Sequence, residues 1–394
     1  MKHLFLYCLL AVLVSCNQQE KKPAEQPGEA TLQNTLVKAE GKDSMILLTD
    51  RPANLETPLK YFLEDFTPNS VFFVRWHLSG LPPKIDPDTF RLRVVGNVKN
   101  ALELSLDDLK TKFTPYTIVA LAECSGNSRS FFDPRVPGGQ WKNGAMGNAK
   151  WTGVKVKDIL EMAGIKPGTK EAAFNGIDRP PIEAVPDFIK SLELAHAMDG
   201  EVMIAYEMNG EPIPLLNGYP LKLVVPGWFA TYWVGMLNEI NVLTDSFDGF
   251  WMRKSYLVPK DVANGNESPD SLAKEMEPIS RLDVRSIFVS PEPQTVVKSG
   301  ENCTVQGLAF DGGFGIKKVE VSVDSSKWIA ATLDSEIGKY SWRRWRYTWK
   351  PSTAGTHQIK VRATSINGDT QPEHQWNRSG FMRNEIETLQ LKAE

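Results

Sequence analysis

The chain has 394 residues, 41% hydrophobic and 24% charged, with a formal net charge of -3. That is the composition of a globular protein long enough for two domains, each with its own core. The near-neutral balance excludes nucleic acid as the main partner, which would require a basic face, but it allows local basic clusters that hold small anions.

The N-terminal stretch "MKHLFLYCLLAVLVSC" reads as an export signal. Its apolar run from Leu4 to Val14 is too short to span a bilayer. It ends in "LVSC", which resembles the lipobox of bacterial lipoproteins. That resemblance implies residues 1–16 as signal and lipobox, with Cys16 lipidated as the first mature residue. Residues 17–43 then form a polar tether, and the protein is expected outside the cytoplasm, periplasmic and membrane-anchored. "MKHLFLY" carries no twin-arginine pair. Four cysteines are present; Cys8 and Cys16 fall in this segment, leaving Cys124 and Cys303. A bridge between them stays open, although they lie in what read as different domains. An unpaired thiol outside the cytoplasm persists if it is buried or if something soft is bound to it.

Further along, residues 44–67 read as irregular. "SVFFVRWHL" is expected as a strand, "FRLRVVGNV" as another, and "SLDDLKTKF" as a short helix capped by Ser105. "YTIVALAEC" is a continuous apolar strand, followed by a Gly-rich loop from Ser125 to Gly153 and a helix over "VKVKDILEMAGI". Short strands follow to Val242, with Asn209-Gly210 and Asn217-Gly218 as hairpin punctuation. "DVANGNESPDSLAKEMEPIS" reads as a linker. From Arg285 onward the texture changes to period-two alternation, as in "KKVEVSVDSSKWIAATL" and "HQIKVRATSINGD", at the spacing of a β-sandwich. Trp342, Trp345 and Trp349 are expected to pack that sandwich or a domain interface, and Cys303 to be a small buried hydrophobe.

The familiar catalytic patterns do not occur. There is no HExxH, HxH or CxxC, no CxxCH, no nucleophile elbow, and no Walker loop or GxGxxG after a strand. What remains is a thiol and a set of cations. Arg75 and His77, two apart in "FFVRWH", share a face if that segment is extended, and Arg129 follows Cys124 by five residues.

A longer pattern gives these residues context. "ECSGNSRS" followed by "GGQWKNGAMGNAKWTGVKVKDIL" resembles the molybdenum-cofactor domain of the sulfite oxidase family. "FFVRWH" upstream, then "FNGID", "VMIAYEMNGEPIPLLNGYPLKLVVPGW" and "FWMRKSY" downstream, continue the match in order. "QWNRSGFMRN" is similar to the family's dimerisation domain, so the resemblance covers roughly residues 60 to 390. It implies an α+β molybdopterin-binding domain of sulfite oxidase fold over 44–260, a linker over 261–284, and an all-β immunoglobulin-like dimerisation sandwich over 285–394, hence a homodimer. It implies a molybdenum-molybdopterin cofactor with Cys124 as the metal's thiolate ligand, and with Phe73, Arg75, His77, Asp178, Asn217 and Lys222 around the pterin. Arg75, Arg129, Tyr256 and Arg378 would be catalytic, although Arg378 stands one residue out of register and Arg383 lies close behind. The implied reaction oxidises sulfite to sulfate and passes two electrons singly to an external c-type cytochrome. The alternatives are the sulfane dehydrogenase subunit of a thiosulfate-oxidising complex, or oxygen-atom transfer involving a sulfoxide. Three positions depart from the animal members: Asn217 and Lys222 replace His and Arg near the pterin phosphate, and Ser255 replaces an acid before the tyrosine.

Overall fold

The computed structural model describes residues 36–37, 41–260 and 265–394. The signal, Cys8, Cys16 and nearly all of the tether lie outside the described residues. Among the described residues no helix is long and apolar enough to cross a membrane.

The apolar run ending at Cys124 forms strand Tyr116–Glu123, whose second half is fully buried. It pairs antiparallel with Met146–Lys155, and the latter pairs with Met203–Met208. Glu211–Pro212 and Lys222–Val224 complete a five-stranded sheet. The Gly-rich loop is therefore shorter than expected and gives way to strand at Met146. Gly153 belongs to that strand, where a Cβ would stand 1.9 Å from the Ile204 carbonyl oxygen. It marks a close approach rather than a break. The helix after it covers only Val156–Ala163, because "VK" before it completes the strand.

A second five-stranded sheet runs in the order Ile189–Glu193, Glu171–Gly176, Leu237–Leu243, Leu92–Gly96 and Leu102–Leu104. Leu237–Leu243 and Leu92–Gly96 are parallel to each other. Helix Leu106–Lys112 starts as read: Ser105 Oγ accepts from the Asp108 amide, and the Asp108 carboxylate accepts from the Ser105 amide. Such a cap is worth about 1 kcal/mol. The segment expected to be irregular contains two strands, Met45–Thr49 and Asn54–Glu56, and the latter pairs with Val74–Arg75. "SVFFVRWHL" contributes only those last two residues as strand, since Pro68 opens a single 3₁₀ turn over Asn69–Val71.

The C-terminal unit consists of two sheets. One holds Arg285–Ser290, Cys303–Phe310, Arg343–Trp349 and Thr332–Leu333. The other holds Val296–Val297, Glu387–Ala393, Gly355–Ser365, Ile316–Val323 and Ile329–Ala330. Trp345 and Trp349 are buried between them. Trp342 packs instead into the first unit's core, 5.2 Å from the Phe62 ring. Cys303 is only half-buried, and both it and Cys124 are free thiols. The two units share hydrophobic core and backbone hydrogen bonds, including Leu121 N–H to the Tyr340 carbonyl at 2.9 Å. The stretch read as a linker is not loose. Met276–Pro278 pairs with Leu257–Pro259, and Ile279 and Leu282 are buried.

Candidate active site

Cys124 follows the buried end of strand Tyr116–Glu123. Its amide donates to the Ala145 carbonyl at 2.9 Å, and the Asn127 amide donates back to the Cys124 carbonyl at 2.9 Å. The turn closes at Ser128, a non-glycine residue with φ 67°. The side chain is 7% exposed and opens into a cavity. Of the residues singled out from sequence, Phe73, Arg75, His77, Cys124, Asp178, Asn217, Lys222 and Tyr256 all line it.

Arg75 and His77 do not share a strand face, because the strand ends at Arg75, but they converge on the Tyr256 hydroxyl. Arg75 Nη2 donates to it at 3.2 Å, and His77 Nε2 touches its other side. Burial, then the charges of Arg75 and Lys190, holds His77 well below its ordinary pKa, so the imidazole is neutral. The phenol already accepts from Arg75 and can therefore donate to His77 Nε2, which places the histidine proton on Nδ1. Burial raises the Tyr256 pKa, so the hydroxyl keeps its proton. Tyr256 sits at φ 58°, a strained conformation for an aromatic residue, held by stacking on Phe381 and by a 2.9 Å hydrogen bond from the Ile279 amide to its carbonyl.

Arg129 does not line the cavity; it is 6% exposed and opens the 3₁₀ turn Arg129–Phe131 that follows Cys124. Its Nε donates to the Gly380 carbonyl at 2.9 Å, and its guanidinium lies 4.7 Å from the Phe381 ring centre. Gly126, Gly138 and Gly380 make room for it, since a Cβ at any of them would come within 2.9 Å of the guanidinium group. This accounts for the small residues around the turn.

Arg378 is elsewhere. Its Nε lies 3.2 Å from Glu267, a carboxylate supplied by the presumed linker, and Nη2 donates to the Ala273 carbonyl. Arg383 faces Glu385 and Glu387 at 3.4 and 3.8 Å. Neither candidate for the third pocket arginine lines the cavity, because each is captured by a carboxylate.

Two lysines take up space near the pocket that the motif reading did not assign. Lys190 is 1% exposed; its Nζ donates to the Trp251 carbonyl at 2.7 Å and lies 5.3 Å from the Tyr256 ring centre. Lys42, read as tether, is buried and donates to the Phe72 carbonyl at 3.1 Å and to Asn217 Oδ1. Asn217 ends a 3₁₀ turn rather than a hairpin and donates to the Phe73 carbonyl at 2.9 Å. Lys222 Nζ donates to the Asn217 carbonyl at 3.1 Å. Burial lowers Lys42 and Lys190 to about 7 and Lys222 to about 8. Burial also raises the Asp178 carboxyl to about 7. Phe188 stacks on His77 at 3.6 Å, with Trp251 edge-on. Of these four additional residues only Trp251 falls inside a quoted motif, "FWMRKSY"; Lys42, Phe188 and Lys190 belong to none. The only trace of Lys190 is a lysine inside the apolar alternation of "FIKSL". Among the described residues no three His, Cys, Asp or Glu side chains converge, so Cys124 has no protein co-ligand set around it.

The family comparisons match this geometry. The oxidoreductase molybdopterin binding domain matches residues 79–251, and the Mo-co oxidoreductase dimerisation domain matches residues 276–392. Mitochondrial sulfite oxidase of Homo sapiens is 34% identical over 360 residues, covering 85% of this chain and 63% of that protein. The chain thus spans under two thirds of the mammalian relatives' length. Sulfite oxidase of Arabidopsis thaliana is 30% identical, with 84% of this chain and 89% of that protein covered. The sulfane dehydrogenase SoxCD from Paracoccus pantotrophus shares the fold, with a TM-score of 0.76 at 22% identity over 97% of this chain and 93% of that one. With both domains in sequence and this likeness over most of its length, the chain belongs to the sulfite oxidase family of molybdopterin-dependent oxidoreductases.

Proposed function

We propose that the chain oxidises sulfite to sulfate at a molybdenum-molybdopterin group ligated by Cys124. The observation that carries this reading is the convergence of one thiol, Arg75 and Tyr256 on a cavity whose lining cations, Arg75 and Lys222, hydrogen-bond to carbonyls and a phenol. The residues present fit the group. Ser125 Oγ and Thr231 Oγ1 line the cavity, buried and without hydrogen-bond partners. Such orphans need a polar ligand. Lys222 and Asn217 offer donors for a phosphate, with Lys42 behind them. Lysine supplies the charge there without the fork of an arginine. Asp178, which also lines the cavity, offers a carboxyl for the pterin's nitrogen edge, and a soft thiolate suits the metal.

Bound there, the group supplies oxygen-atom transfer and the two-electron store. The chain's own residues bind and orient the anion. A guanidinium about 4 Å from an anionic oxygen attracts it by roughly 4 kcal/mol at an effective dielectric near 20, before desolvation. Arg75 is placed to do so directly, and Arg129 adds charge from the turn that follows the thiol. Tyr256 accepts from Arg75 and gives its one proton to His77, and an oxygen of substrate or product entering the cavity would take that hydrogen bond in place of His77. The aromatic side chains of Phe73, Phe188 and Trp233 that line the cavity limit water there and strengthen these charges.

The C-terminal unit is read as an immunoglobulin-like homodimerisation domain, with the domain limits given above. An external c-type cytochrome is proposed as acceptor, and the lipobox-like "LVSC" supports export with a lipid on Cys16. The decisive experiment measures metal content and sulfite-dependent cytochrome c reduction. Molybdenum near one per chain with turnover that Cys124→Ser abolishes is expected. A metal-free protein, or a fully active Cys124→Ser, overturns the reading. Turnover of a protein-bound sulfane but not of sulfite would replace the substrate and keep the site.

A further inference from the structure

We infer that Arg285, on the first strand of the C-terminal unit, is a positioning residue for the Cys124 sulfur. Its side chain is 2% exposed and reaches across to the turn that carries the thiol. Nη1 donates to Glu123, the residue before Cys124, at 2.8 Å. Nη2 donates to Ser128 Oγ, on the left-handed residue that closes the turn, and to Asn143 Oδ1 at 3.0 Å on the returning arm. The entry, the apex and the return of the turn are thus fixed by one planar group, whose fork sets direction as well as distance. Glu123 also accepts from Asn127 Nδ2 at 2.9 Å, and Asn127 Oδ1 accepts from the Ala145 amide at 3.0 Å. Ala145 is the residue whose carbonyl holds the Cys124 amide.

The charges of this cluster are met locally. Arg285 Nη2 lies 3.0 Å from Glu387, and Arg383 faces Glu387 and Glu385. Two further contacts from the same unit reach the turn: the Met382 amide donates to the Ser125 carbonyl at 2.9 Å, and the Gly380 carbonyl accepts from Arg129. The C-terminal unit therefore also braces the turn that carries the thiol. The catalytic consequence rests on the proposed role of Cys124, but the geometric claim does not.

The test uses the full chain produced without cofactor and measures alkylation of Cys124 by iodoacetamide, with half-buried Cys303 as internal reference. Arg285→Lys keeps the charge and loses the fork; Glu123→Gln with Arg285→Gln keeps a neutral, hydrogen-bonding pair in case the single change is poorly folded. Tyr340→Phe removes a different contact between the units, the hydrogen bond to Glu201, and does not touch the turn. Both turn variants are expected to raise the Cys124-to-Cys303 rate ratio about tenfold, as a local opening made easier by one hydrogen bond's worth of free energy would; Tyr340→Phe leaves it unchanged. In loaded protein the thiolate-to-metal absorption band should shift in Arg285→Lys and not in Tyr340→Phe. An unchanged ratio in folded Arg285→Lys and in the double variant, or equal acceleration of both cysteines, overturns the inference. A wild-type protein without molybdenum but with the expected alkylation pattern would instead overturn the functional reading alone.

Discussion

Arg285 and Arg383, between the two units, face Glu123, Glu385 and Glu387. Arg75, Arg129, Lys190 and Lys222, around the cavity, hydrogen-bond to carbonyls and the Tyr256 hydroxyl or lie against aromatic rings. Burying a cation costs several kcal/mol of hydration. In the first group carboxylates offset that cost inside the chain. In the second, among the described residues, no carboxylate forms an ion pair with them, although Asp178 lines the same cavity, and burial drives the two lysines toward neutrality. The arginines cannot release their protons. A buried cluster is structural when its charges close on themselves, and it is a binding site when they are left for a ligand to balance.

That contrast can be broken by one pair of substitutions. Arg285→Met leaves Glu123 buried without its ion-pair partner and Glu387 with only Arg383 at 3.8 Å, and should cost about 3–5 kcal/mol in urea unfolding of the cofactor-free protein. Arg75 is only half-buried and, among the described residues, forms no ion pair with a carboxylate, so Arg75→Met should change stability by less than about 1 kcal/mol. It should nonetheless weaken sulfate binding by about 1.5–3 kcal/mol, the range of a charge-assisted hydrogen bond, or roughly tenfold to a hundredfold in Kd. If Arg75→Met proves the more destabilising of the two, the distinction between the clusters is wrong.

The same division governs what could be read from sequence. Local rules gave local structure: the Ser105 cap, the Asn209-Gly210 hairpin with both φ values positive, and strand Gly355–Ser365 with its alternating burial. Cys124, Arg75 and Tyr256 were reachable only through a family pattern, because nothing in their own neighbourhoods fixes their direction. Lys42 meets Asn217 across 175 residues of chain, and no periodicity encodes that contact. Arg378 was misplaced because the carboxylate that captures it, Glu267, lay in a stretch read as linker. The site is also built from left-handed backbone at Ser128, Met236, Tyr256 and Met382, none of them glycine. Their conformations are imposed by tertiary packing, and so they leave no compositional mark.

A gentler probe of the cavity's unbalanced charge is pH. Lys190 and Lys222 titrate near 7 and 8 in the folded chain and near 10.4 when unfolded. Between those limits the unfolded state holds more protons, so ν_U − ν_N is positive and stability contributed by these groups rises with pH. Below about 7 both states are protonated and the penalty is present in full. Sulfate reverses the preference by stabilising the ammonium forms. Its thermal shift on cofactor-free protein should therefore be largest near pH 6 and shrink as pH rises through 7 to 9. The Lys190→Met variant should keep the sulfate response and flatten this decline. A shift that grows with pH would place no ammonium near the anion.

The smallest effect is expected where a cation meets a carboxylate but water reaches both. Lys339 lies 2.7 Å from Glu201 across the two units, with side chains 56% and 39% exposed. Its geometry is as short as that of Arg285, and its sign pairing is the same. Only the hydration differs: neither ion was stripped of water on folding, so little is lost when one is removed. Exposed pairs are worth about 0–1 kcal/mol and are screened by salt. Glu201 would also keep the Tyr340 hydroxyl at 2.5 Å. Lys339→Met should therefore cost under about 1 kcal/mol, and the cost should vanish in 1 M salt. A salt-independent loss as large as that of Arg285→Met would mean that burial is not what separates the structural ion cluster from the rest of the interface.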